Sequence, residues 1–224
     1  KMVSLRHDVA ALRDLVLISS LAVAILVFPP MAIASAASHA FFVVFLSAKW
    51  ADASLLFAIL APVAGIQVVS TIWTPMLLAT ENTTLRLRIG IEMTVLWLAI
   101  LPFAAMHGAV AVVIAYVVSY MAFSLLRSYN AFLSPVQLNV IDMTRALAAP
   151  LIVSALAALA HLGLMWRFDL PPLGEVVLAL VEMVVALAVL LFICRRTLRA
   201  HVSQLRALFS AAKPLTEEGV GGVA

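Results

Sequence analysis

The chain has 224 residues, 65% of them hydrophobic and only 11% charged, with a net charge of +3 and a mean hydropathy of +1.16. A water-soluble domain carries about 25% charged residues, so this composition excludes a soluble globular protein and calls for lipid as the solvent. The isoelectric point of about 9.4 does not argue for nucleic acid, because the basic residues punctuate apolar runs, which is how membrane orientation is encoded.

Residues 1–14 hold Lys1, Arg6, His7, Asp8, Arg13 and Asp14. Leu5, Val9, Leu12 and Val16 recur at helical spacing, which predicts an amphipathic lead-in on the membrane surface. The chain opens on Lys1 rather than an initiator methionine, and no cleavable-signal pattern precedes the first apolar run. A processed product or a piece of a longer protein is expected. A first span is predicted from Leu15 to about Ala37, bent at Pro29-Pro30, where two backbone donors are missing. Phe41 to Leu46 is too short to cross alone and either extends that helix or lies in the interface. Trp50 beside Lys49 is an interfacial anchor pair.

The second span, Ala53 to Thr80, contains no ionisable side chain, and Pro62 and Pro75 predict a kink or break within it. A third span follows Arg86 and Arg88, from about Ile89 to Ala105. The sharp turn Met106-His107-Gly108 leads into a fourth, about Ala109 to Leu126, as an antiparallel hairpin. A polar loop runs from Arg127 to Arg145. The fifth span is about Ala146 to Trp166, and the sixth about Leu173 to Cys194. Residues 195–224 form a basic tail with Leu198, Val202, Leu205 and Phe209 on one stripe, predicted to be an amphipathic helix on an anionic leaflet.

The expected fold is therefore all-α, a polytopic bundle of six transmembrane helices over residues 15–194. Twelve of the Lys and Arg residues fall on the side that holds both termini, and only Lys49 and Arg167 fall on the other. That asymmetry predicts both termini in the cytoplasm.

Enzyme signatures are missing from the pattern. No two of His7, His39, His107, His161 and His201 stand three or four residues apart, so no helical metal pair is encoded. No nucleophile elbow or phosphate-cradling glycine loop occurs. Cys194 is the single cysteine, which excludes an internal disulfide. No cofactor, metal, catalytic residue or enzymatic role is expected.

The acids inside the spans carry more information. An ionisable group near the bilayer centre costs about 3 kcal/mol unless it faces protein or water. Glu182 lies near mid-depth of span six, on a stripe with Glu175, Ala179 and Ala186. Span five offers the matching stripe Pro150, Ser154, Ala158 and His161, and His161 can reach Glu175. Two readings stand: a structural hydrogen bond between helices, or a proton- or cation-coupling site or polar cavity wall. Glu92 stands four residues after Arg88, which predicts an i,i+4 pair, with a cavity role as the other reading. Arg86, Arg88, Arg127 and Arg145 cluster in sequence at the inner mouth. They act as orientation signals or capture an anionic head group.

From Phe41 onward the chain resembles the polysaccharide-exporting flippases of the multidrug/oligosaccharidyl-lipid/polysaccharide superfamily. Phe45-Leu46-Ser47-Ala48-Lys49-Trp50 is similar to an outer-loop pattern of apolar residues, then Gly-x-Lys-Trp, and Ser47 stands where Gly is usual. Leu56 to Leu60 with Gly65, Met76-Leu77-Leu78-Ala79 through Arg86, and Gly108 to Val117 resemble segments that follow in that family. Glu81-Asn82 replaces a small-Gly turn.

The resemblance implies the C-terminal six-helix lobe of a two-lobed translocase, its first lobe absent here, in a bacterial inner membrane. It implies an undecaprenyl-diphosphate oligosaccharide as substrate, and polymerase or glycosyltransferase partners. A multidrug exporter of the same superfamily and a non-transporting scaffold of a polysaccharide assembly complex are the alternatives.

Overall fold

A computed structural model describes residues 9–73, 75, 77, 82–124, 127, 129–168 and 170–211, without the side chains of 130, 132 and 196–211. The expectations placed on residues 1–8, on Glu81, on Leu126 and on the tail's basic and apolar side chains from Arg196 onward fall outside what is described. Among the described residues the regular structure is all helical. In chain order the elements are α1 (Val9–Ala36), α2 (Ser38–Leu46), α3 (Ala51–Ser70), α4 (Thr83–Ala105), α5 (Ala109–Phe123), the short α6 (Tyr129–Leu133) and α7 (Val140–Ala146), α8 (Ala148–Arg167) and α9 (Pro172–Ala211).

Among the described residues five segments are long and apolar enough to cross a membrane: Val9–Ala36, Ala48–Ser70, Thr83–Ala105, Ala148–Arg167 and Pro172–Arg195. The expected fourth span, about Ala109 to Leu126, corresponds to α5. Its 15 residues reach about 22 Å, short of the ~30 Å hydrocarbon core, and its expected continuation falls on residues 125 and 126, which are not described.

Helix α1 is the hub. It packs against α3, α8 and α9, while α5 leans on α3 and α4 leans chiefly on α5. Half of α1's apolar window is buried, against 6% of α4's, so one is the centre of the bundle and the other its rim. Leu12 and Val16, assigned to the lead-in by periodicity, are core residues of α1. On α4 the large side chains Leu87, Ile91, Val95 and Leu98 point outward; such a face suits lipid or another apolar surface. The short apolar stub is α2. It continues the direction of α1 through Ala37, because Ala37 N–H donates to Ile33 O (2.8 Å) and Phe41 N–H to Ala37 O (3.1 Å).

The prolines are absorbed in two ways. Pro62 sits inside an unbroken α3 and deprives the Ala58 carbonyl of its amide partner. The Ser35 hydroxyl of α1 donates to that carbonyl at 2.6 Å. A neighbouring hydroxyl is the standard remedy for a proline in a membrane helix. Pro75 acts differently: α3 stops at Ser70, and Thr71 and Ile72 form a turn, because Thr71 carries the carbonyl that the ring of Pro75 would meet. Pro29 and Pro30 lie inside α1 without ending it.

Two helix starts share one backbone geometry. Ser47, ahead of the Ala48–Trp50 turn, has φ 86° and ψ 162°, and Gly108, at the N-cap of α5, has φ 95° and ψ 174°. That region is almost confined to glycine and costs a side chain about 1–3 kcal/mol. Ser47→Gly should raise the thermal unfolding temperature of the purified protein, and Gly108→Ala should lower it. Ser35→Ala should cost about 0.6 kcal/mol, the usual worth of an interhelical hydrogen bond in a membrane. In a Pro62→Ala background that cost should vanish, since the Ala58 carbonyl regains its own amide; unfolding of the four variants in one detergent checks both statements.

Candidate functional site

Three polar side chains meet where α8 crosses α9. Spacings of four and seven residues place Pro150, Ser154 and His161 on one face of α8, and all three are buried. Facing them, α9 presents Ala179 and Ala186, both buried, and small residues at such spacing let two membrane helices approach closely. Glu175 and Glu182 occupy the same stripe, so close approach carries both carboxylates to the imidazole.

His161 is wholly buried between them. Its Nδ1 lies 2.7 Å from Glu182 Oε2 and its Nε2 lies 3.5 Å from Glu175 Oε1. The two glutamate side chains remain 15% and 18% exposed respectively. The first contact is a short hydrogen bond, and the second sits at the outer limit of one. Glu182 Oε1 and the Ser154 hydroxyl are buried without a hydrogen-bond partner. Sequence spacing paired His161 with Glu175; the structure gives the tighter contact to Glu182. The register between the two helices decides this, and periodicity along one helix does not report it.

The other candidates are arranged elsewhere. Glu92 on α4 takes the predicted i,i+4 bond from Arg88 Nε at 2.9 Å, and Arg127 adds a second guanidinium, Nε at 3.2 Å and Nη2 at 3.3 Å. Two of the four arginines are thus turned onto a carboxylate. Arg86 on α4 and Arg145 on α7 are exposed. Arg88 and Arg127 converge on Glu92, and the exposed Arg86 and Arg145 are not part of that group.

Sequence reasoning missed a second polar set. Gln67 of α3 donates from Nε2 to the Tyr116 hydroxyl of α5. The Trp97 ring lies 5.1 Å from Tyr116, which in turn stacks on Tyr120 at 6.2 Å. A lone glutamine inside an apolar run was the available signal. Below it, Trp73 Nε1 donates to Ser20 Oγ at 3.3 Å, and its ring meets Tyr129 edge-on at 4.8 Å. Burial, and then the hydrogen bond with Tyr120, push the Tyr129 phenol well above its ordinary value, so it is neutral at any physiological pH.

Between α3 and α8, with α1 as floor, runs a cleft made of two adjoining cavities. One, of about 180 Å³, is lined by Phe28, Ile66, Trp73, Tyr129, Thr144 and Leu151. The other, of about 280 Å³, shares Phe28, Ile66 and Leu151 and adds Ser35, Pro62 and Ser154. Mostly apolar walls with a few placed hydroxyls are the usual make-up of a ligand pocket.

No family model, curated protein or solved structure matches this chain. Its chemistry is therefore read from the geometry. Among the described residues no group of three His, Cys, Asp or Glu side chains is placed to hold a metal ion.

Removing one member of the α8–α9 cluster strands the others in a medium that cannot solvate them. Glu182→Leu should cost about 3 kcal/mol. The double substitution His161→Leu/Glu182→Leu should recover most of that loss, since two apolar side chains need no partner. Thermal unfolding of the three proteins in one detergent measures the difference.

Proposed function

We propose that this chain is one lobe of a two-lobed transporter that moves lipid-linked oligosaccharides across a bacterial inner membrane by alternating access. The cleft over α1 carries the reading. Two helices diverge from a shared floor and leave an apolar, hydroxyl-bearing groove that a second lobe would face. Its α7 end lies beside Thr144 and the exposed Arg145, which suits a substrate with a long hydrocarbon tail and an anionic head. Translocation then needs a second body to rock against this one.

The substrate class rests on the sequence resemblance, and one backbone detail supports that resemblance. The similar pattern has Gly where this chain has Ser47, and Ser47 adopts the positive φ that glycine favours. On this reading Arg86, Arg88, Arg127 and Arg145 lie on the cytoplasmic side, with both termini.

The test is flipping of an undecaprenyl-diphosphate oligosaccharide in vesicles by this lobe together with the second lobe. Ser154→Trp or Leu151→Trp, which fill the cleft, should abolish flipping, and Leu98→Trp on the lipid face of α4 should leave it intact. Efflux of cationic dyes without flipping would favour the drug-exporter reading. Assembly of polymerase partners without either would favour a scaffold.

A further inference from the structure

The α8–α9 cluster contains more acceptors than a neutral imidazole can serve. A neutral histidine has one N–H and one lone pair. Both ring nitrogens here face a carboxylate oxygen, and a lone pair against a carboxylate repels. Both contacts are attractive only if the three groups hold one proton more than a neutral ring supplies. We propose that Glu175, His161 and Glu182 form an intramembrane proton-binding site, with the exchangeable proton lodged between His161 Nε2 and Glu175.

Position favours that location for the proton. The Glu182 contact is short and deep, and the Glu175 contact is longer. Glu175 lies three residues into α9, within its first turn, so it is the member nearest to water. Charge favours the proton's uptake. A neutral ring with two carboxylates carries two net negative charges, and the exchangeable proton reduces them to one; net charge at membrane depth is what the bilayer opposes. Uptake is a simple transfer: hydronium protonates Glu175, its O–H passes the proton to Nε2, and water is left behind. Release reverses the same steps.

A metal ion does not fit the arrangement. The two carboxylates lie on opposite edges of the ring, so their oxygens do not converge on one point, and neither nitrogen has a lone pair turned towards open space.

Among the described residues no other ionisable side chain forms a hydrogen bond or ion pair with these three. On α1 the nearest such residues, Arg13 and Asp14, belong to its first turns, whereas Ile33 and Ala37 near its other end pack with Ala179 and Ala186 around the crossing. On α2 only His39 is ionisable, and it is exposed. On α7, Asp142 and Arg145 stand beyond the far end of α8. Arg167 ends α8 exposed to solvent, and Cys194 and Arg195 lie three turns or more beyond Glu182 along α9. Another buried orphan, the Ser154 hydroxyl, lies two turns from His161 on the same face.

The inference stands without the transport reading and is tested without it. The full chain, ¹⁵N-labelled at histidine, is placed in lipid nanodiscs, and ring signals are followed by NMR as pH is lowered. His161 is assigned by loss of its signals in His161→Gln. In the wild type, acidification should convert His161 from one ring N–H to two. Glu175→Gln should lose that conversion and keep the strongly hydrogen-bonded Nδ1–H. Glu182→Gln should lose the Nδ1–H signature. If Glu182→Gln fails to fold by circular dichroism, Glu175→Gln, which disturbs only the looser contact, still decides. A ring that ignores pH in the wild type overturns the proposal, as does an unchanged conversion in Glu175→Gln. Ring signals that move to metal-bound positions on adding zinc would also overturn it.

Discussion

Inside a hydrocarbon slab there is no water to complete a hydrogen bond, so each polar group carried into it must be met by another group of the protein. This bundle can be read through that constraint. Ser35 answers the carbonyl that Pro62 leaves open. Ser20 answers the Trp73 indole, and Tyr116 answers Gln67. His161 is answered twice. Every one of these pairs joins two different parts of the chain, so these polar groups tie the bundle together; Trp97 Nε1, the Ser154 hydroxyl and Glu182 Oε1 are buried exceptions among the described residues.

Apolar contact alone could not do this. Lipid tails are as apolar as leucine, and helices in a membrane associate through close packing and hydrogen bonds. Helix α1 meets both requirements and becomes the hub: its Ala24, like Ala37 just past its end, is wholly buried, and two of its serines bond to neighbours. Helix α4 meets neither to the same extent. Its Glu92 reaches another part of the chain through Arg127, and its outward face is apolar and exposed.

Much of this was legible in the chain, and the limits have physical causes. Span positions followed from apolar runs, and the α8–α9 contact followed from two stripes of small and polar residues. The i,i+4 partner of Glu92 was readable, since one helix fixes that distance; Arg127, 35 residues away, was not. Pro62 and Pro75 looked alike in sequence and behave differently: the carbonyl that Pro62 leaves open is met by a hydroxyl from α1, a contact 23 residues away that local sequence does not show. The preference of His161 for Glu182 was hidden because spacing along each helix does not fix the register between them. The Asn139 and Asp142 spacing that caps α7, with each side chain bonded to the other's backbone, was present in the loop as a readable signal and passed unremarked as a cap.

Helix α9 runs for 40 residues as one element, about 60 Å at the usual rise, twice the thickness of the layer its first half crosses. It packs on both α8 and α1, with Leu190 and Cys194 set in the core they share, and from Cys194 to Ala211 it runs on as an arm of about 25 Å.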